Sequence, residues 1–323
     1  MKRNILITGG AGFIGSHLVD ALLLNPDISV SVIDDFNPYY PPESKRRNIA
    51  QHLSNPQFRL YETDITNDES LKQVFEEQSF DTVVHLAARA GVRQSLIEPA
   101  AYARTNIEGT INLLECVREK KIPKFIFGSS SSVYGQGAPT PFSEAEANVG
   151  KILSPYAATK VAGEAVCRAF AETYGINTIC LRFFTVYGPR QRPDLAIHKF
   201  AALISSGQPI PVFGDGSSFR DYTYVGDIVD GICAALDYES RGFEVINLGT
   251  SHTITLSELI RLIGEGMEKE IRVEQLPMQP GDLSATFADI SKAKQLLGYS
   301  PKVPLQEGIS KFIDWFETGS VAS

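Results

Sequence analysis

Tyr156 and Lys160 lie four residues apart in the stretch SPYAATKVAGEAV, residues 154–166. The stretch is predicted to form a helix, because Ser154 is a favourable N-cap residue and Pro155 suits the first helical position. The spacing places the two side chains on one face of that helix. A free phenol has a pKa of about 10, and a neighbouring ammonium group lowers that pKa. The two residues are therefore either a catalytic base with its tuning cation or neighbours on a helix surface.

Serine hydroxyls cluster in the sequence SSSSVYG, residues 129–135, where a predicted strand ends. Ligands of doubly wound folds bind at the carboxyl edge of the sheet, so Ser130, Ser131 and Ser132 are candidates for contacting a substrate. The same argument brings them towards the helix that carries Tyr156.

The first half of the chain alternates short strand-like runs with helical patterns. The predicted strands are residues 4–8, 29–34, 58–62, 81–87, 124–130 and 177–183. The predicted helices lie near residues 13–24, 68–77, 102–120 and 155–174. This alternation predicts an α/β fold, a doubly wound parallel sheet of the Rossmann type covered on both faces.

The second half is richer in turns. Its predicted helices lie near residues 196–206, 227–237, 255–267 and 304–317. We predict a first domain over residues 1–183, to which residues 223–250 return, and a smaller C-terminal lobe over residues 184–323.

The glycines of TGGAGFIG, residues 8–15, stand between the first strand and the first helix. Gly9, Gly12 and Gly15, with Phe13 and Ile14 between them, would let the backbone approach a pyrophosphate at a helix N-terminus. A purely structural turn is the competing interpretation.

Asp34 ends the second strand nineteen residues after Gly15, where an acid meets ribose hydroxyls in dinucleotide sites. A carboxylate there repels a 2′-phosphate, so NAD is favoured over NADP, and Asp35 could share the task. The nearby cations Lys45, Arg46 and Arg47 are predicted to form a solvated surface.

Two further strand ends belong to the same predicted edge. Asp64 and Ile65 follow the third strand, where they could meet the adenine or form a surface turn. Leu86, Ala87 and Ala88 of HLAA follow the fourth strand, and small residues there would let a dinucleotide lie close. His85 is predicted to be a core histidine.

These motifs resemble, in order and spacing along nearly the whole chain, the extended short-chain dehydrogenase/reductase family of nucleotide-sugar epimerases and dehydratases. The resemblance rests on TGGAGFIG, HLAA, Asn106 in TNIEGT, SSSSVYG and YAATK. It implies an NAD-binding domain with Asn106 among the cofactor-binding residues, a UDP-sugar-binding lobe, and a homodimer formed through the helices near 102–120 and 155–174. It also implies that Tyr156 takes a proton from a sugar hydroxyl, Lys160 holds the nicotinamide ribose, and Ser130 bonds the reacting oxygen.

The residues after Ser130 indicate which reaction follows oxidation at C4. Dehydratases of this family carry an Asp–Glu pair at the next two positions, and UDP-glucuronate decarboxylases keep a Glu at the second. Ser131 and Ser132 offer no carboxylic acid there. The resemblance therefore implies 4-epimerisation through a 4-keto sugar, with NAD regenerated in each cycle.

The second half resembles the substrate side of these epimerases. It places Thr185 at a substrate contact, Arg220 at the diphosphate and Asp282 near the nucleoside. Gln279 stands where many UDP-galactose epimerases carry Arg.

The stretches YGPRQRPDLA and FNPYYPPESKRRN are similar to those of UDP-glucuronate 4-epimerases. The resemblance places Arg192 near the sugar carboxylate, which a planar guanidinium can pair in bidentate fashion. A structural role for Arg192 is the alternative, and Arg93 is a second candidate. A UDP-glucose or UDP-N-acetylglucosamine 4-epimerase, a UDP-glucuronate decarboxylase and a non-catalytic NAD-sensing module remain alternatives for the whole chain.

Composition narrows the partners. A formal charge of −8 over 323 residues argues against nucleic acid as the main partner. The apolar run near the N-terminus is too short for a signal peptide or a membrane span, which predicts a cytoplasmic protein. The four cysteines, at positions 116, 167, 180 and 233, lack metal-site spacing, so no metal is predicted.

Overall fold

The computed structural model describes residues 2–147, 149–239, 242–277 and 285–320. The strands up to residue 183 are β1 (Arg3–Thr8), β2 (Ile28–Asp34), β3 (Phe58–Glu62), β4 (Thr82–His85), β5 (Lys124–Ser130) and β6 (Asn177–Phe183). The helices of this part are α1 (Phe13–Leu23), α2 (Pro42–Ile49), α3 (Asp68–Glu77), α4 (Val92–Ile97), α5 (Pro99–Ala103), α6 (Gly109–Glu119) and α7 (Pro155–Tyr174).

The second half contributes short strands and five helices to the part that the structure describes. The strands are β7 (Thr185–Tyr187), β8 (Ile210–Phe213), β9 (Phe219–Arg220), β10 (Tyr222–Tyr224), β11 (Phe243–Leu248), β12 (Ile254–Thr255), β13 (Val273–Leu276) and β14 (Ala285–Thr286). The helices are α8 (Ala196–Ser205), α9 (Val225–Asp237), α10 (Leu256–Gly266), α11 (Ser291–Leu297) and α12 (Leu305–Ser320).

A seven-stranded sheet in the order β11-β6-β5-β4-β1-β2-β3 organises the molecule. Every neighbouring pair in it is parallel. Ile5 and Ile7 pack in one core with α1 and α9, while Leu6 packs in a second core with α3 and α6 on the opposite face. The predicted doubly wound fold is confirmed. Strand β11 joins the main sheet beside β6, although it follows β10 along the chain.

A third core lies among α8, α10 and α12 and includes Phe200, Leu259 and Phe312. It belongs to the second half of the chain and is separate from the two cores that sandwich the sheet. In the described part of the chain, no helix is both long and apolar enough to cross a lipid bilayer.

Helix α7 begins and ends where its sequence predicts. The Ser154 hydroxyl accepts a hydrogen bond from the Ala157 N–H at 3.1 Å, as an N-cap residue does. Gly175 ends the helix in the left-handed conformation, with φ of 71°.

The helix predicted near residues 102–120 is more complex than its pattern indicated. It consists of α5, a π-helical turn over Arg104–Glu108 and then α6. The π turn carries Asn106, and such turns occur frequently at functional sites. Hydrophobic periodicity does not distinguish a π turn from an α-helix, so this interruption of the helix could not be predicted.

Candidate functional site

A cleft of about 480 Å³ opens at the carboxyl edge of the main sheet, a volume that suits a small-molecule ligand. Most of the residues selected from the sequence line this cleft. They are Gly9, Gly12, Phe13, Ile14, Gly15, Asp34, Asp35, Asp64, Ile65, Leu86, Ala87, Ala88, Ser130, Ser131, Ser132, Tyr156, Lys160, Thr185 and Arg192.

The glycine loop lies tightly against the end of β4. Gly9 has a φ of +71°, and a Cβ atom there would lie 2.7 Å from the backbone nitrogen of Ala87. A Cβ on Gly15 would lie 2.2 Å from the carbonyl oxygen of Gly9. Only glycine fits these positions. The close approach leaves the N-terminus of α1 facing the cleft, with no side-chain cap and no acidic residue in its first turn. These backbone N–H groups can therefore bind an anion.

Asp34 is held rigidly at the end of β2. Its carboxylate accepts hydrogen bonds from the N–H groups of Ala11 at 3.1 Å and Phe36 at 3.0 Å. The Lys45 ammonium lies 3.5 Å from the same carboxylate. Burial raises the pKa of Asp34, and the charge of Lys45 opposes that rise. A buried, ionised acid flanked by a cation is suited to accepting hydrogen bonds from ribose hydroxyls.

Lys45 corrects the prediction of a solvated basic surface. It is buried, because α2 turns it beneath the ring of Tyr40, whose centroid is 5.1 Å from the Lys45 ammonium. Arg46 and Arg47 are exposed, and Arg46 pairs with Glu62 at 2.7 Å. Lys45, which contacts Asp34 at the cleft, was thus wrongly grouped with the exposed cations Arg46 and Arg47.

His85 lies in the core, as predicted, within a directed chain of hydrogen bonds. The Thr110 hydroxyl donates to the Asn106 carbonyl, so it accepts from Nε2–H of His85 at 3.0 Å. Burial keeps the ring neutral, so its proton is on Nε2, and Nδ1 accepts from the Thr8 hydroxyl at 2.7 Å; Thr8 in turn accepts from the Ala87 N–H. These contacts assign a neutral imidazole with the proton on Nε2. Burial lowers the pKa of His85 to about 3, and the charge of Lys160 adds to this shift.

Asn106 does not line the cleft, although the resemblance placed it among cofactor-binding residues. Its amide accepts from the Arg89 N–H at 2.8 Å and donates to the Arg89 carbonyl at 2.9 Å and to the Thr159 hydroxyl at 2.9 Å. The Asn106 amide therefore makes its hydrogen bonds within the protein, behind the residues that line the cleft. It connects the loop after β4 to α7.

Ser130, Tyr156 and Lys160 meet at the middle of the cleft. The Ser130 hydroxyl shares a hydrogen bond with the Ser132 hydroxyl at 2.9 Å, and it stands near enough to the Tyr156 phenol to favour the phenolate. The Lys160 ammonium donates to the Gly128 carbonyl at 2.7 Å and lies 4.8 Å from the ring centroid of Phe127. Burial lowers the pKa of Lys160 to about 8.

The expected lowering of the Tyr156 pKa by Lys160 is not seen in the protein alone. Burial raises the pKa of Tyr156, while the Ser130 hydroxyl and the charge of Arg192 oppose the rise. The physical reason is that the Lys160 ammonium is bonded to the Gly128 carbonyl instead of the phenol.

A smaller cavity of about 190 Å³ adjoins the cleft at Ser131, Ser132 and Thr185, which line both. Arg220 and Thr286 line its far side. The predicted diphosphate residue therefore lies next to the serine cluster. Asp282, predicted near the nucleoside, and Gln279, which stands where many UDP-galactose epimerases carry Arg, lie outside the described residues.

Arg192 lines the cleft with its side chain 15% exposed, and its guanidinium already has a carboxylate partner. Nε and one terminal nitrogen donate to Asp194 at 2.9 and 2.6 Å, and that same terminal nitrogen lies 3.2 Å from the Ala90 carbonyl. The group also lies 5.3 Å from the ring centroid of Tyr39. Arg93, the second candidate, is exposed on α4, lines neither cavity and stacks on Phe213 at 4.9 Å.

The sequence profile of the NAD dependent epimerase/dehydratase family matches residues 5–249. The chain belongs to this family. The resemblance seen in the motifs is thereby confirmed, and the glycine loop, the anion-binding helix end and Asp34 fit the dinucleotide that gives the family its name.

Other members of the family resemble this chain over nearly its full length. A UDP-glucuronate 4-epimerase of Thermodesulfobacterium geofontis is 40% identical over 96% of this chain and 95% of the relative. UDP-glucuronate 4-epimerase 4 of Arabidopsis thaliana is 40% identical over 97% of this chain and 75% of the relative.

Solved structures of epimerases share the fold closely. The UDP-glucuronic acid 4-epimerase of Bacillus cereus, solved with UDP-glucuronic acid and NAD, has a TM-score of 0.92 and 39% identity, covering 98% of this chain and 99% of that one. The UDP-glucose 4-epimerase of Thermotoga maritima, solved with UDP-glucose, has a TM-score of 0.89 and 35% identity over 98% and 99% of the two chains.

Sequence reasoning about this epimerase-family protein missed three residues at the mouth of the cleft. Tyr39 and Tyr40 lie in the quoted stretch FNPYYPP, and Asp194 lies two residues after Arg192. The Tyr39 hydroxyl lies 3.4 Å from the Asp194 carboxylate, so the loops after β2 and β7 meet there. The aromatic pair was a visible signal, but nothing in it showed which loop it would contact.

Proposed function

We propose that this protein is an NAD-dependent 4-epimerase that interconverts UDP-glucuronate and UDP-galacturonate. The observation that carries the proposal is the pair Ser131 and Ser132 beside the Ser130–Tyr156 contact, where elimination chemistry needs a carboxylic acid. Among the described residues that line the two cavities, the carboxyl groups are Asp34, Asp35 and Asp64, at or just after the ends of β2 and β3. A C6 hydroxyl or a carboxylate of the bound sugar would thus lie beside the hydroxyl groups of Ser131 and Ser132, with no carboxylic acid among them.

Tyr156 is the proton acceptor in this proposal. Its phenolate takes the proton of the C4 hydroxyl, and the same group returns the proton when C4 is reduced. NAD, when bound, would supply the hydride acceptor for oxidation at C4 and the hydride donor for its reduction. Ser130, which stands beside Tyr156, donates to the reacting oxygen. The net change is inversion at C4 with no consumption of cofactor.

Nearby positive charge is needed for Tyr156 to act as a base near neutral pH. Its burial raises the pKa of the phenol, so the surrounding cations must stabilise the phenolate. Arg192 already acts in this direction. Lys160, a buried ammonium at the floor of the cleft, holds the ribose next to the nicotinamide in the proposed complex.

Glucuronate places a special demand on the site, because oxidation at C4 creates a β-keto acid that loses carbon dioxide readily. We infer that Arg192 pairs with the sugar carboxylate and holds it during rotation of the ring. Its position in the cleft and its limited exposure to solvent support this role. Asp194 uses two donors of the guanidinium, which leaves donors of Arg192 for a ligand and fixes the plane of the group.

The proposal is tested with a panel of UDP-sugars whose products are resolved by NMR. Arg192→Ala should weaken UDP-glucuronate by about 2 kcal/mol or more, which raises its KM roughly 30-fold, because a desolvated ion pair is lost. UDP-glucose, which has no carboxylate, should be affected much less. Arg261→Ala, an exposed arginine on α10, is the matched control.

A UDP-glucose 4-epimerase is the second candidate, supported by the close structural match to the Thermotoga maritima enzyme. Preference of the unmodified protein for UDP-glucose, or equal weakening of both sugars by Arg192→Ala, would favour it. Absence of turnover on every UDP-sugar would favour a non-catalytic NAD-sensing module.

We also propose that the protein works as a homodimer paired through α6 and α7. Ile111 on α6 and Tyr174 on α7 are exposed apolar side chains that a partner would cover. Sedimentation equilibrium of the purified protein tests this, and a monomer at micromolar concentration would contradict it.

A further inference from the structure

Glu164 continues the face of α7 that carries Tyr156 and Lys160. The three residues follow one another at intervals of four, so their side chains share one side of the helix. The Glu164 carboxylate accepts two hydrogen bonds from Arg182 of β6, at 2.9 Å from Nε and 2.8 Å from a terminal nitrogen. The side chains are 12% and 6% exposed, so this is a buried bidentate ion pair.

The ion pair is connected directly to the strand that ends at the catalytic serine. The Ser129 hydroxyl donates to Glu164 at 2.5 Å. Ser129 is also the register partner of Arg182 across the β5–β6 ladder. It stands between Gly128, whose carbonyl binds Lys160, and Ser130, which contacts Tyr156.

Arg182 also supports the turn that follows the serines. Its guanidinium lies 4.8 Å from the ring centroid of Tyr134, and a terminal nitrogen lies 3.4 Å from the Glu144 carbonyl. The Tyr134 hydroxyl in turn donates to Asn247 at 2.7 Å. The stretch from Ser129 to Tyr134 is thus held at both ends by one ion pair.

Stability alone is a weak reason for such a pair. Removing two charges from water costs more than their attraction commonly returns, and apolar residues often replace buried pairs without loss. The pair lies directly behind the groups proposed to react, which gives it a use that an apolar contact would not serve. A hydrogen bond fixes direction, whereas apolar packing does not.

We propose that Glu164 and Arg182 are positioning residues that, through Ser129, fix the Ser130 hydroxyl against the Tyr156 phenol. This inference rests on the proposed function and adds to it the residues that hold its catalytic groups in register.

The charge of Glu164 also bears on Lys160. Burial lowers the pKa of the Lys160 ammonium, and the charge of the Glu164 carboxylate on α7 opposes this shift; Cys167 on α7 and Cys180 on β6 also lie near the ammonium. His85 of β4 faces it as a neutral ring. Loss of the Glu164 charge would therefore lower the pKa of Lys160 further.

Ser129→Ala is the decisive variant, because it cuts the link to the strand and leaves no buried charge unpaired. Turnover of UDP-glucuronate should fall about 10- to 100-fold while KM changes less than about twofold, since misplaced reacting groups affect the transition state more than binding. The urea midpoint and the content of bound NAD should stay unchanged. Full turnover, or a fall that only follows loss of bound NAD or of folded protein, would overturn the proposal.

Glu164→Gln tests the charge, and it is assayed well below its own unfolding temperature because Arg182 loses its partner. Turnover should fall at alkaline pH when Lys160, which holds the ribose in the proposed complex, loses its proton. In Glu164→Gln this fall should occur at lower pH, whereas Ser129→Ala should leave it in place. Glu172→Gln, an exposed glutamate eight residues further along α7, is the control. A fall at the same pH as in the unmodified protein would contradict the role of the charge.

A readout without substrate separates this inference from the proposed function. In protein labelled with 13C at the tyrosine ζ carbon, the Tyr156 signal is identified by its loss in Tyr156→Phe. Ser129→Ala and Glu164→Gln should shift that signal, and Glu172→Gln should not. An unshifted signal in Ser129→Ala overturns the positioning role, even if the unmodified protein turns over UDP-sugars. A shifted signal supports it, even if no UDP-sugar is a substrate and the proposed function fails.

Discussion

Opposing effects act on the pKa of the Tyr156 phenol. Burial favours the neutral phenol, while the Ser130 hydroxyl and the Arg192 charge favour the phenolate. The protein therefore leaves Tyr156 protonated until further positive charge comes beside it. In the proposed mechanism, Tyr156 therefore becomes a base only when the cofactor brings positive charge beside it.

At this scale the first prediction concerns Tyr156→Phe. The variant keeps the ring and its packing but lacks the hydroxyl, so turnover should fall by about 100- to 10,000-fold. Bound NAD and the urea midpoint should be unchanged. Tyr238→Phe, a tyrosine at the end of α9 that does not line the cleft, should keep full activity. Turnover near normal in Tyr156→Phe would assign the proton transfer elsewhere.

The second prediction concerns cofactor choice at Asp34. Asp34→Ser removes the carboxylate that repels a 2′-phosphate and leaves the Lys45 ammonium, now 3.5 Å from Asp34, as an attractive charge. The ratio of NADP to NAD affinity should rise, as measured by titration of cofactor-free protein. The neighbouring Asp35→Ser, in which Lys45 keeps its Asp34 partner, should change the ratio less. Equal affinity of the unmodified protein for both cofactors would remove this role from Asp34.

At the scale of elements, the glycine loop and α1 act as one unit. The loop passes so close to itself and to the end of β4 that a methyl group has no room at Gly15. The loop must keep this path for the N–H groups of α1 to face the cleft. The affinity for a pyrophosphate is therefore set by backbone packing as much as by any side chain.

Gly15→Ala should move the start of α1 away from the cleft. We expect the free energy of unfolding to fall by about 1–3 kcal/mol, as overpacking commonly costs, and bound NAD to be largely lost. Gly319→Ala in α12, where no atom lies within 4 Å of the added Cβ, is the matched control. Retention of NAD by Gly15→Ala at normal stability would show that the loop relaxes more easily than its contacts indicate.

At the scale of the whole molecule, the main sheet is fixed in part by a neutral histidine at its centre. His85 of β4 is bonded to Thr8 of the neighbouring β1 and to Thr110 of α6, so it ties the sheet to one helical layer. Its pKa lies near 3 in the folded protein, against about 6.5 for an unperturbed imidazole. Between pH 6.5 and about pH 3, His85 is therefore protonated in the unfolded chain and neutral in the folded protein.

Global stability should therefore fall as pH decreases from 6.5 towards 3. The unfolded state binds more protons in that window, so His85 alone contributes a loss of up to about 1.4 kcal/mol per pH unit. His85→Gln should be less stable at pH 7 yet lose less stability between pH 7 and pH 5, as followed by urea unfolding. His252→Gln, an exposed histidine, should follow the unmodified protein. Equal losses in His85→Gln and the unmodified protein would contradict this assignment.

Local patterns in the sequence were sufficient for much of the fold. The start of α7 at Ser154 and its end at Gly175 depend on neighbouring residues alone, as do the strands that end at Asp34 and Ser130. Because the carboxyl ends of parallel strands meet at one edge, correct strand ends were enough to bring the glycine loop, Asp34 and the serines to a common cleft.

Tertiary structure decided which charges meet. Lys45 is buried against Asp34, Asn106 donates a hydrogen bond to the Arg89 carbonyl, and Arg182 of β6 pairs with Glu164 of α7. None of these contacts follows from a spacing along the chain, because each joins elements that only packing brings together. Burial and Coulomb energy depend on distances in space, so the sequence by itself determined the fold and the reacting groups, while the folded protein alone decided the protonation and orientation of those groups.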